Sequence, residues 1–415
     1  MAKVEIPLGP QHPALKEPAN FALSLDGERV ISAAVNLGYN HRGVEKACEA
    51  RTYTQCVYLL ERICGICSHS HSTAFISAAE EIAGVEIPER AHWIRVLVAE
   101  LERLHSHMLW LGVAGHELGF DTLFMLSWRD RELVMDLLAK IGGNRVNYGV
   151  NKLGGVRCDL TETQLADIKT VNEQIAEAIN YYIELAVSES TLAARTIGVG
   201  VLSYDDARAY GAAGPTARAA GVDRDIRRDD PYSRYQEIPF EVITDDHADV
   251  YGRLVVRVKE LAESCKIIRY VLDNMPGGAV ETKFPRKVPE GEAFARYEAP
   301  RGEDVHYVKA NGTTMPERVK VRAPSMANAV SYSLMLQDNY LADVPIIIAA
   351  IDPCFSCTDR SLAYRDYQSG REGFMDWQAL RQYSIDWYRD KGIAFGKNAG
   401  RSTTAASPFC DLSRK

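Results

Sequence analysis

Four cysteines in two Cys-x-x-Cys pairs are the residues of this chain whose type and spacing best suit metal chemistry. Cys64 and Cys67 lie in the segment RICGICSHSH, and Cys354 and Cys357 lie in the distant segment DPCFSCTDR. Thiol pairs with this spacing hold structural zinc, form redox-active disulfides or bind softer and more reactive metals. The first question is therefore which of these three sites the chain builds.

The surroundings of the two pairs favour a transition metal. Structural zinc sites usually take their pairs from segments roughly 15–20 residues apart, whereas almost the whole chain separates these two pairs. The apolar run VPIIIAAID before the second pair is also unlike a small polar zinc knuckle. A redox disulfide would need a βαβ context, which the pattern lacks. Soft thiolates bind nickel, iron and copper(I) as well as zinc, so zinc and disulfide chemistry stay open on pattern alone.

Composition indicates a globular protein without a nucleic-acid surface. The chain has 415 residues, of which 46% are hydrophobic and 25% charged, and its formal net charge is −8. No stripe of lysine and arginine stands out, and RDIRRDD (224–230) is predicted to be a solvated loop. The N-terminus lacks a signal-peptide pattern, and the longest apolar run falls short of the ~20 residues that span a bilayer. Nine cysteines, an odd number, argue against a disulfide framework, so the five single cysteines are predicted to be buried free thiols.

Hydrophobic periodicity predicts the elements that position the two pairs. Residues 21–38 alternate around the turn dipeptide Asp26-Gly27 and predict a β-hairpin. Helical spacing then predicts a bundle of four long helices, at about 88–116, 121–141, 163–192 and 247–274. Beyond it we expect loops with short strands at 275–323, a helix at 325–341 and a short buried strand or apolar plug at 344–351. The chain shows neither a repeat nor a linker, so one α+β, mainly helical unit is predicted.

The residues that flank the two pairs resemble the signature of the large subunit of nickel–iron hydrogenases. Arg62-x-Cys64-Gly65-x-Cys67 and Asp352-Pro353-Cys354-x-x-Cys357-Thr358 occur in the family's order, and further matching segments are GPQHP, HRGVE, LERLHSH, GGVR, GPTARAAG and YEAPRGEDVHY. They are similar to the energy-converting, membrane-associated branch, which includes the Ech-type, CO-induced, Mrp-linked and formate hydrogenlyase enzymes. That branch is related to the quinone-site large subunit of respiratory complex I. The resemblance implies the hydrogenase large-subunit fold, with a central long-helix bundle and a small N-terminal β-hairpin region.

This resemblance implies a nickel–iron centre bound by the four cysteines. Cys64 and Cys354 would be terminal ligands of nickel, whereas Cys67 and Cys357 would bridge nickel and iron. The iron would carry CO and cyanide ligands installed by maturation proteins. No further cysteine cluster remains for an iron–sulfur centre in this chain.

The resemblance also assigns roles around the centre. His71 would hydrogen-bond a bridging sulfur, that of Cys67, and Arg301 would lie over the open metal position with Asp352 holding it. Glu17 would pass protons to and from the buried site. Glu45 matches a carboxylate near a second-sphere cation, for which Mg²⁺ is the candidate, although Arg360 stands where that cation site often has a histidine.

Three further histidines, His12, His105 and His107, lie in matching or helical segments. His12, in GPQHP, matches the quinone-site histidine of the complex I relatives, and here it is expected in the proton path or in loop packing. His105 and His107 lie two apart on a predicted helix and so face different directions, with one of them expected in the core.

Residues 1–360 are predicted to form a single large-subunit domain, with a β-rich part at 1–45, the helical bundle at 46–274 and a mixed part at 275–360. Residues 361–415 are either a maturation peptide or a retained extension, and DWQALRQYSIDWYRDKG within them predicts an amphipathic helix.

The implied activity is reversible H₂ formation from protons and electrons. The implied partners are a small subunit with a four-iron cluster, ferredoxin-like iron–sulfur subunits, ferredoxin as the soluble redox partner, and membrane subunits that translocate ions. The expected location is peripheral, on the cytoplasmic side of the cell membrane. The alternatives are a complex I-like coupling subunit, which would not need all four cysteines, and a sulfur-reducing relative.

Overall fold

The computed structural model describes residues 4–358, 362–365, 372–375 and 377–391. The chain divides into two compact units, Met1–Asp359 and Arg360–Lys415. The helices are α1 (Val44–Cys48), α2 (Tyr53–Glu61), α3 (Ser68–Ala83), α4 (Glu89–Glu117), α5 (Asp121–Gly142), α6 (Glu162–Ser188), α7 (Ser190–Thr196), α8 (Tyr204–Ala209), α9 (Pro215–Arg218), α10 (Ile226–Asp229), α11 (Val250–Asn274), α12 (Pro324–Asn328), α13 (Tyr332–Leu336), α14 (Val344–Ala350) and α15 (Trp377–Asp390). The strands are β1 (Val4–Leu8), β2 (Asn20–Asp26), β3 (Arg29–Asn36), β4 (Asn151–Lys152), β5 (Gly155–Val156), β6 (Gly291–Ala299), β7 (Gly302–Ala310), β8 (Pro316–Arg322), β9 (Leu362–Arg365) and β10 (Glu372–Met375).

Four long helices, α4, α5, α6 and α11, pack together as the central bundle of the first unit. Their shared core is apolar: Ile168, Ile175 and Ile179 recur on one face of α6 and are fully buried. Each such side chain contributes roughly 1.5–3 kcal/mol when it leaves water. At the start of α6, Thr161 and Gln164 form a reciprocal capping box. The mainly helical α+β prediction and the bundle are therefore confirmed.

Two three-stranded antiparallel sheets flank this bundle. In the first, β2 lies between β1 and β3, and the predicted hairpin turns at Gly27, whose φ is 63°. In the second, β7 lies between β6 and β8, and helix α3 packs against β6 and β7. These strands of seven to nine residues are longer than the short strands predicted for 275–323. The small pairs β4–β5 and, in the second unit, β9–β10 are also antiparallel.

Two sequence predictions near the second cysteine pair are wrong. Residues 344–350 form the buried helix α14 and not a strand, because a wholly apolar run has no periodicity that separates a strand from a helix. Its burial agrees with the alternative prediction of an apolar plug. Residues 325–341 are not one helix. They form the short helices α12 and α13 with a 3₁₀ turn between them. In the second unit, α15 matches the predicted amphipathic helix. Among the described residues, the helices lack the length and apolarity of a membrane span.

The segment RDIRRDD is only partly the solvated loop that its charges predict. Asp225 and Arg227 are buried and paired, with Arg227 Nη2 2.7 Å from Asp225 Oδ2. Arg227 Nη1 also lies 3.1 Å from a carboxylate oxygen of Glu100 on α4. Arg218 bonds Glu260 on α11 at 2.8 Å, which extends this buried ionic cluster. Opposite charges from other helices neutralise the segment, and a sequence pattern does not show such long-range partners.

Candidate metal centre

The four cysteines of the two pairs meet in the core between helices α1–α3 and the β6–β8 sheet. All four are buried and free, and their sulfurs lie within 4.8 Å of one another. Cys64 Sγ is 3.2 Å from Cys354 Sγ, and Cys67 Sγ is 3.6 Å from Cys357 Sγ. The structure thus brings together two segments separated by most of the chain into one set of four soft donors.

The first pair lies where α2 has ended and α3 begins. Cys67 occupies the N-cap position of α3, and the backbone N–H groups of Ile66 and Cys67 point at Cys64 Sγ from 3.2 and 3.4 Å. Backbone N–H groups at a helix start favour negative charge on a thiol. Neighbouring thiols, those of Cys354 and Cys357 above all, hold the pKa of Cys64 well below its usual range.

The second pair follows the apolar helix α14. Asp352 adopts the left-handed backbone, with φ of 59°, and turns the chain towards the cysteines. The backbone N–H of Cys354 donates to Ser325 Oγ at 2.9 Å, and Cys357 lies in a 3₁₀ turn, Phe355–Thr358. The pair is therefore held by turn geometry and by a contact from α12.

Arg301 and Asp352 form the predicted ion pair beside the sulfurs. Arg301 Nη2 donates to Asp352 Oδ1 at 2.7 Å, Nε donates to the Asp352 carbonyl at 2.8 Å, and Nη1 lies 3.3 Å from Ser106 Oγ on α4. Burial opposes the charge of Arg301, but Asp352 and the thiolates of Cys354 and Cys64 raise its pKa well above the usual value. Burial also raises the pKa of Asp352, against the effect of Arg301, and with this guanidinium in contact we expect the ion pair at neutral pH.

Two glycines let the turn that carries Arg301 come close to the rest of the unit. Arg301 lies between β6 and β7, directly before Gly302. A Cβ on Gly214 would lie 2.4 Å from Gly302 Cα, and a Cβ on Gly302 would lie 2.6 Å from the Gly214 nitrogen. Both residues also have positive φ. The GPTARAAG segment therefore positions Arg301 through backbone contact, which only glycine allows.

His71 contacts a cysteine sulfur, but not the one predicted. Its Nε2 lies 3.3 Å from Cys357 Sγ, whereas the sequence prediction paired it with Cys67. The difference arises because His71 lies one helical turn after Cys67 and points across the cluster to the second pair. His71 Nδ1 lies 3.0 Å from both Asp304 Oδ2 and His306 Nε2. Burial lowers the pKa of His71, but Asp304 and other nearby negative charges raise it by more, so the pKa is raised overall and the ring can donate to the sulfur.

Asp304 and His306 were missed as site residues, although a signal for them exists. They lie two apart in the segment GEDVHY, and alternate residues of a strand share one face. In β7 both are buried and face α3, where His71 lies.

Glu17 reaches the second pair from the loop between β1 and β2. Its carboxylate accepts from the Ser356 N–H at 2.8 Å and from Ser356 Oγ at 2.7 Å, and it lies 4.0 Å from Cys354 Sγ. Burial, and then the charge of Cys64, raises the pKa of Glu17, which suits a group that exchanges protons.

A cavity of about 200 Å³ opens onto this side of the centre. Its polar lining includes Lys16, Glu17, Arg301, Asp352 and Cys354, and most of the remaining lining is apolar, with Ile66, Leu109, Val113, Ile348 and Phe355 among it. A larger groove of about 920 Å³ lies between α2 and residues 281–286, away from the predicted site, so chemistry and not size marks the site.

The remaining predicted residues lie apart from the sulfurs. Glu45 accepts from the Val321 N–H at 3.0 Å and from Lys320 Nζ at 2.9 Å. Lys320 thus supplies positive charge where a second-sphere cation was expected, which does not favour Mg²⁺, and Arg360 lies outside the described residues. His12 is exposed, and its ring accepts from the Ala14 N–H at 3.2 Å.

His105 and His107 do face different directions, but both are buried, not one. His105 Nε2 lies 2.6 Å from Tyr148 Oη, and His107 Nε2 lies 2.8 Å from Glu260 Oε2. Of the single cysteines in the described part of the chain, Cys48, Cys56 and Cys265 are buried as predicted and Cys158 is exposed, contrary to the prediction.

The donor set fits a soft transition metal. Four thiols at non-bonded separations, without a carboxylate among them, form the kind of site that nickel, iron or zinc prefers. The neighbouring cation Arg301 and the cavity on one side distinguish it from a closed structural zinc site, which has no need of either.

Comparisons with known proteins agree with this site. Residues 117–287 and 282–360 match the family described as respiratory-chain NADH dehydrogenase, 49 Kd subunit, and residues 42–113 match the nickel-dependent hydrogenase family. The chain is 44% identical to the membrane-bound hydrogenase subunit alpha of Pyrococcus furiosus, over 92% of this chain and 93% of that protein. It is 38% identical to the carbon monoxide-induced hydrogenase of Rhodospirillum rubrum, over 87% of this chain and the whole of that protein.

A solved structure supports the same grouping. A chain of the membrane-bound sulfane sulfur reductase, an archaeal respiratory membrane complex, superposes with a TM-score of 0.83 and 34% identity, and the match covers 86% of this chain and 98% of that chain. The chain therefore belongs to the family that unites the large subunits of membrane-bound nickel-dependent hydrogenases with the 49 Kd subunit of respiratory-chain NADH dehydrogenase.

Proposed function

We propose that this chain is the catalytic subunit of a membrane-bound, energy-converting hydrogenase that interconverts H₂ with two protons and two electrons. The observation that carries the proposal is the set of four free, buried cysteines whose sulfurs lie within 4.8 Å of one another. A coupling subunit without redox chemistry has no need of these thiols. The names of relatives with 44% and 38% identity, both hydrogenases, support the same activity.

A nickel–iron centre with CO and cyanide on iron would supply the electron exchange with H₂. Cys64 and Cys354 would be terminal on nickel, and Cys67 and Cys357 would bridge to iron. In this chain, apolar side chains form most of the lining of the 200 Å³ cavity beside the cysteines, which suits a small apolar gas. Arg301 adds a fixed positive charge beside the sulfurs, where it stabilises negative charge that develops during the reaction.

Glu17 is the proton carrier that the geometry favours. Its carboxylate lies 4.0 Å from Cys354 Sγ and at the cavity wall, and its raised pKa lets it hold a proton closer to neutral pH than an exposed glutamate does. His71 Nε2 lies 3.3 Å from Cys357 Sγ, and a hydrogen bond from it would withdraw charge from the thiolate that would hold the metals.

The proposed partners would supply the electron path and the ion path that the four cysteines do not provide. Electrons would leave through iron–sulfur clusters of a small subunit and ferredoxin-like subunits. Membrane subunits would couple the reaction to ion translocation across the membrane, with this chain on the cytoplasmic side. The relatives' names support membership of a membrane-bound complex.

Reduction of sulfane sulfur is the second candidate. The solved sulfane sulfur reductase chain matches over 98% of its length, so the same fold serves a complex of that name. Both activities would use the cysteine cluster, and the product of the reaction, H₂ or sulfide, distinguishes them.

Metal analysis and activity assays on the purified complex test the proposal. We expect one nickel per copy of this chain, iron in excess because of the iron–sulfur clusters of the partner subunits, infrared bands of CO and cyanide on iron, and H₂ evolution with a reduced viologen dye. Glu17→Gln should abolish most of the turnover and keep the metals, whereas the exposed Glu28→Gln should change neither. Zinc alone, or no metal, would contradict the proposed hydrogenase activity. Sulfide production from polysulfide without H₂ evolution would favour the second candidate.

A further inference from the structure

Helix α3, which starts directly after Cys67, lacks a cap of its own. The first N–H groups of a helix have no partner within it, and a Ser, Thr, Asp or Asn side chain at the N-cap usually accepts from them. The N-cap of α3 is Cys67, and its side chain makes no capping hydrogen bond. A cysteine that binds metal is not available for this task.

A carboxylate from another helix takes the place of the cap. Glu102 Oε2 on α4 accepts from the His69 N–H at 2.7 Å, and Oε1 accepts from the Ser70 N–H at 3.0 Å. The Ser70 hydroxyl also donates to Oε1. Glu102 is fully buried, and burial raises its pKa to about 7, while the bonds from Ser70 and His69 act against that rise. Among the described residues, it makes no ion pair with a lysine or arginine.

The same face of α4 also contacts the other side of the centre. Ser106 lies one turn after Glu102, and its Oγ is 3.3 Å from Arg301 Nη1. Residues four apart share a helix face. Helix α4 thus contacts both the helix that begins after Cys67 and the guanidinium beside the sulfurs.

We propose that Glu102 is a positioning residue of the metal centre, which caps α3 from outside and so fixes the direction in which Cys67 presents its sulfur. The link to a metal rests on the proposed function, whereas the cap is a property of the chain alone. Glu102 touches neither the sulfurs nor a substrate position in our proposal, and it acts through His69 and Ser70.

Glu100 offers a matched control on the same helix. It is also a fully buried glutamate, but its partners are Arg103, Arg227, Tyr235 and Ser264, which lie outside α3. Glu102→Gln leaves one oxygen for two N–H donors, so it should weaken the cap without opening a cavity. Glu100→Gln should cost general stability and leave the cap intact.

Hydrogen exchange of the full chain, resolved to single amides, tests the cap without a metal. Loss of an N-cap costs about 1 kcal/mol or more, so the His69 and Ser70 amides should exchange roughly five- to tenfold faster in Glu102→Gln. Glu100→Gln should leave their rates relative to the rest of the core unchanged. If Glu102→Gln does not fold, Ser70→Ala removes one of the three bonds and should quicken the same amides less. Equal rates in the Glu102 and Glu100 variants would overturn the proposal, as would unchanged rates in Ser70→Ala if it is the variant measured.

The infrared spectrum of the assembled complex tests the effect on the centre. Where the unsubstituted complex shows CO bands on iron, Glu102→Gln should shift them and Glu100→Gln should not, since a merely structural loss lowers occupancy and keeps the band position. Unshifted bands in Glu102→Gln would refute the positioning role. A complex without such bands would contradict the hydrogenase proposal, and the exchange experiment would still decide on the cap.

Discussion

Replacing Asp352 by asparagine removes one negative charge beside the sulfurs and keeps the shape of the site. Asparagine, like aspartate, tolerates the left-handed backbone that residue 352 adopts with φ of 59°. Its amide oxygen can still accept from Arg301 Nη2, and its carbonyl can still accept from Arg301 Nε. The substitution therefore isolates the contribution of the charge.

The magnitude follows from the bonds that hold the guanidinium. A hydrogen bond to a charged acceptor is worth about 1.5–3 kcal/mol, against roughly 1 kcal/mol for a neutral one, so the variant holds Arg301 by about 0.5–2 kcal/mol less. The thiolates of Cys354 and Cys64 still attract Arg301 and should draw it towards the sulfurs. If its position sets the reaction rate, this loss corresponds to about two- to thirtyfold in turnover.

The assay is H₂ uptake with a viologen acceptor, together with nickel content. We expect Asp352→Asn to keep its nickel and lose about two- to thirtyfold in rate, and Arg301→Lys to lose more, because one ammonium cannot replace the guanidinium fork. Asp338→Asn is the control, since Asp338 also has a left-handed backbone but is exposed at the surface. A normal rate in Asp352→Asn beside a slow Arg301→Lys would refute the role of the charge.

Three further outcomes are expected. Cys64→Ser should lose nickel, whereas Cys158→Ser, at an exposed thiol, should keep it; equal nickel in both would contradict the ligand set. Gly214→Ala should cost about 1–3 kcal/mol in urea unfolding and slow turnover as well, because its Cβ would meet Gly302 Cα at 2.4 Å beside Arg301. Burial lowers the pKa of His107 from 6.5 to about 4, so the unfolded chain binds the extra proton. Stability should therefore fall by about 3 kcal/mol between pH 7 and pH 4, and His107→Gln should flatten that fall; an unchanged slope would contradict the buried neutral ring.

Local patterns predicted the elements that have a clear period. The hairpin around Gly27 and the four bundle helices were found because alternation and helical spacing are visible within one segment. Helix α14 was not predicted, since VPIIIAAI is apolar throughout. The break between α12 and α13 was not predicted either, because it left no signal in an otherwise helical segment.

The candidate site shows the same division. The four cysteines, Arg301 and Asp352 could be placed from motifs, and the structure brings them together. The predicted sulfur partner of His71 was wrong, and the contact of Glu102 with α3 was not predicted. Both contacts depend on how distant segments pack against each other. Sequence spacing indicates which residues a segment can contribute to a site, but tertiary packing decides which buried partners they contact.

The residues of the centre lie where regular structure ends. Cys67 precedes a helix, Arg301 lies in a hairpin turn, and Asp352 has a left-handed backbone after α14. Such positions are weakly determined by local preference, so contacts from elsewhere must hold them. The contacts come from Glu102, Gly214 and Ser325. All of them are contacts within the protein, so they do not depend on a bound metal. The chain should therefore reach its fold before the metal is loaded, unlike a zinc finger, whose folding depends on its ion. Metal loading would then stabilise a site that the packing has already shaped.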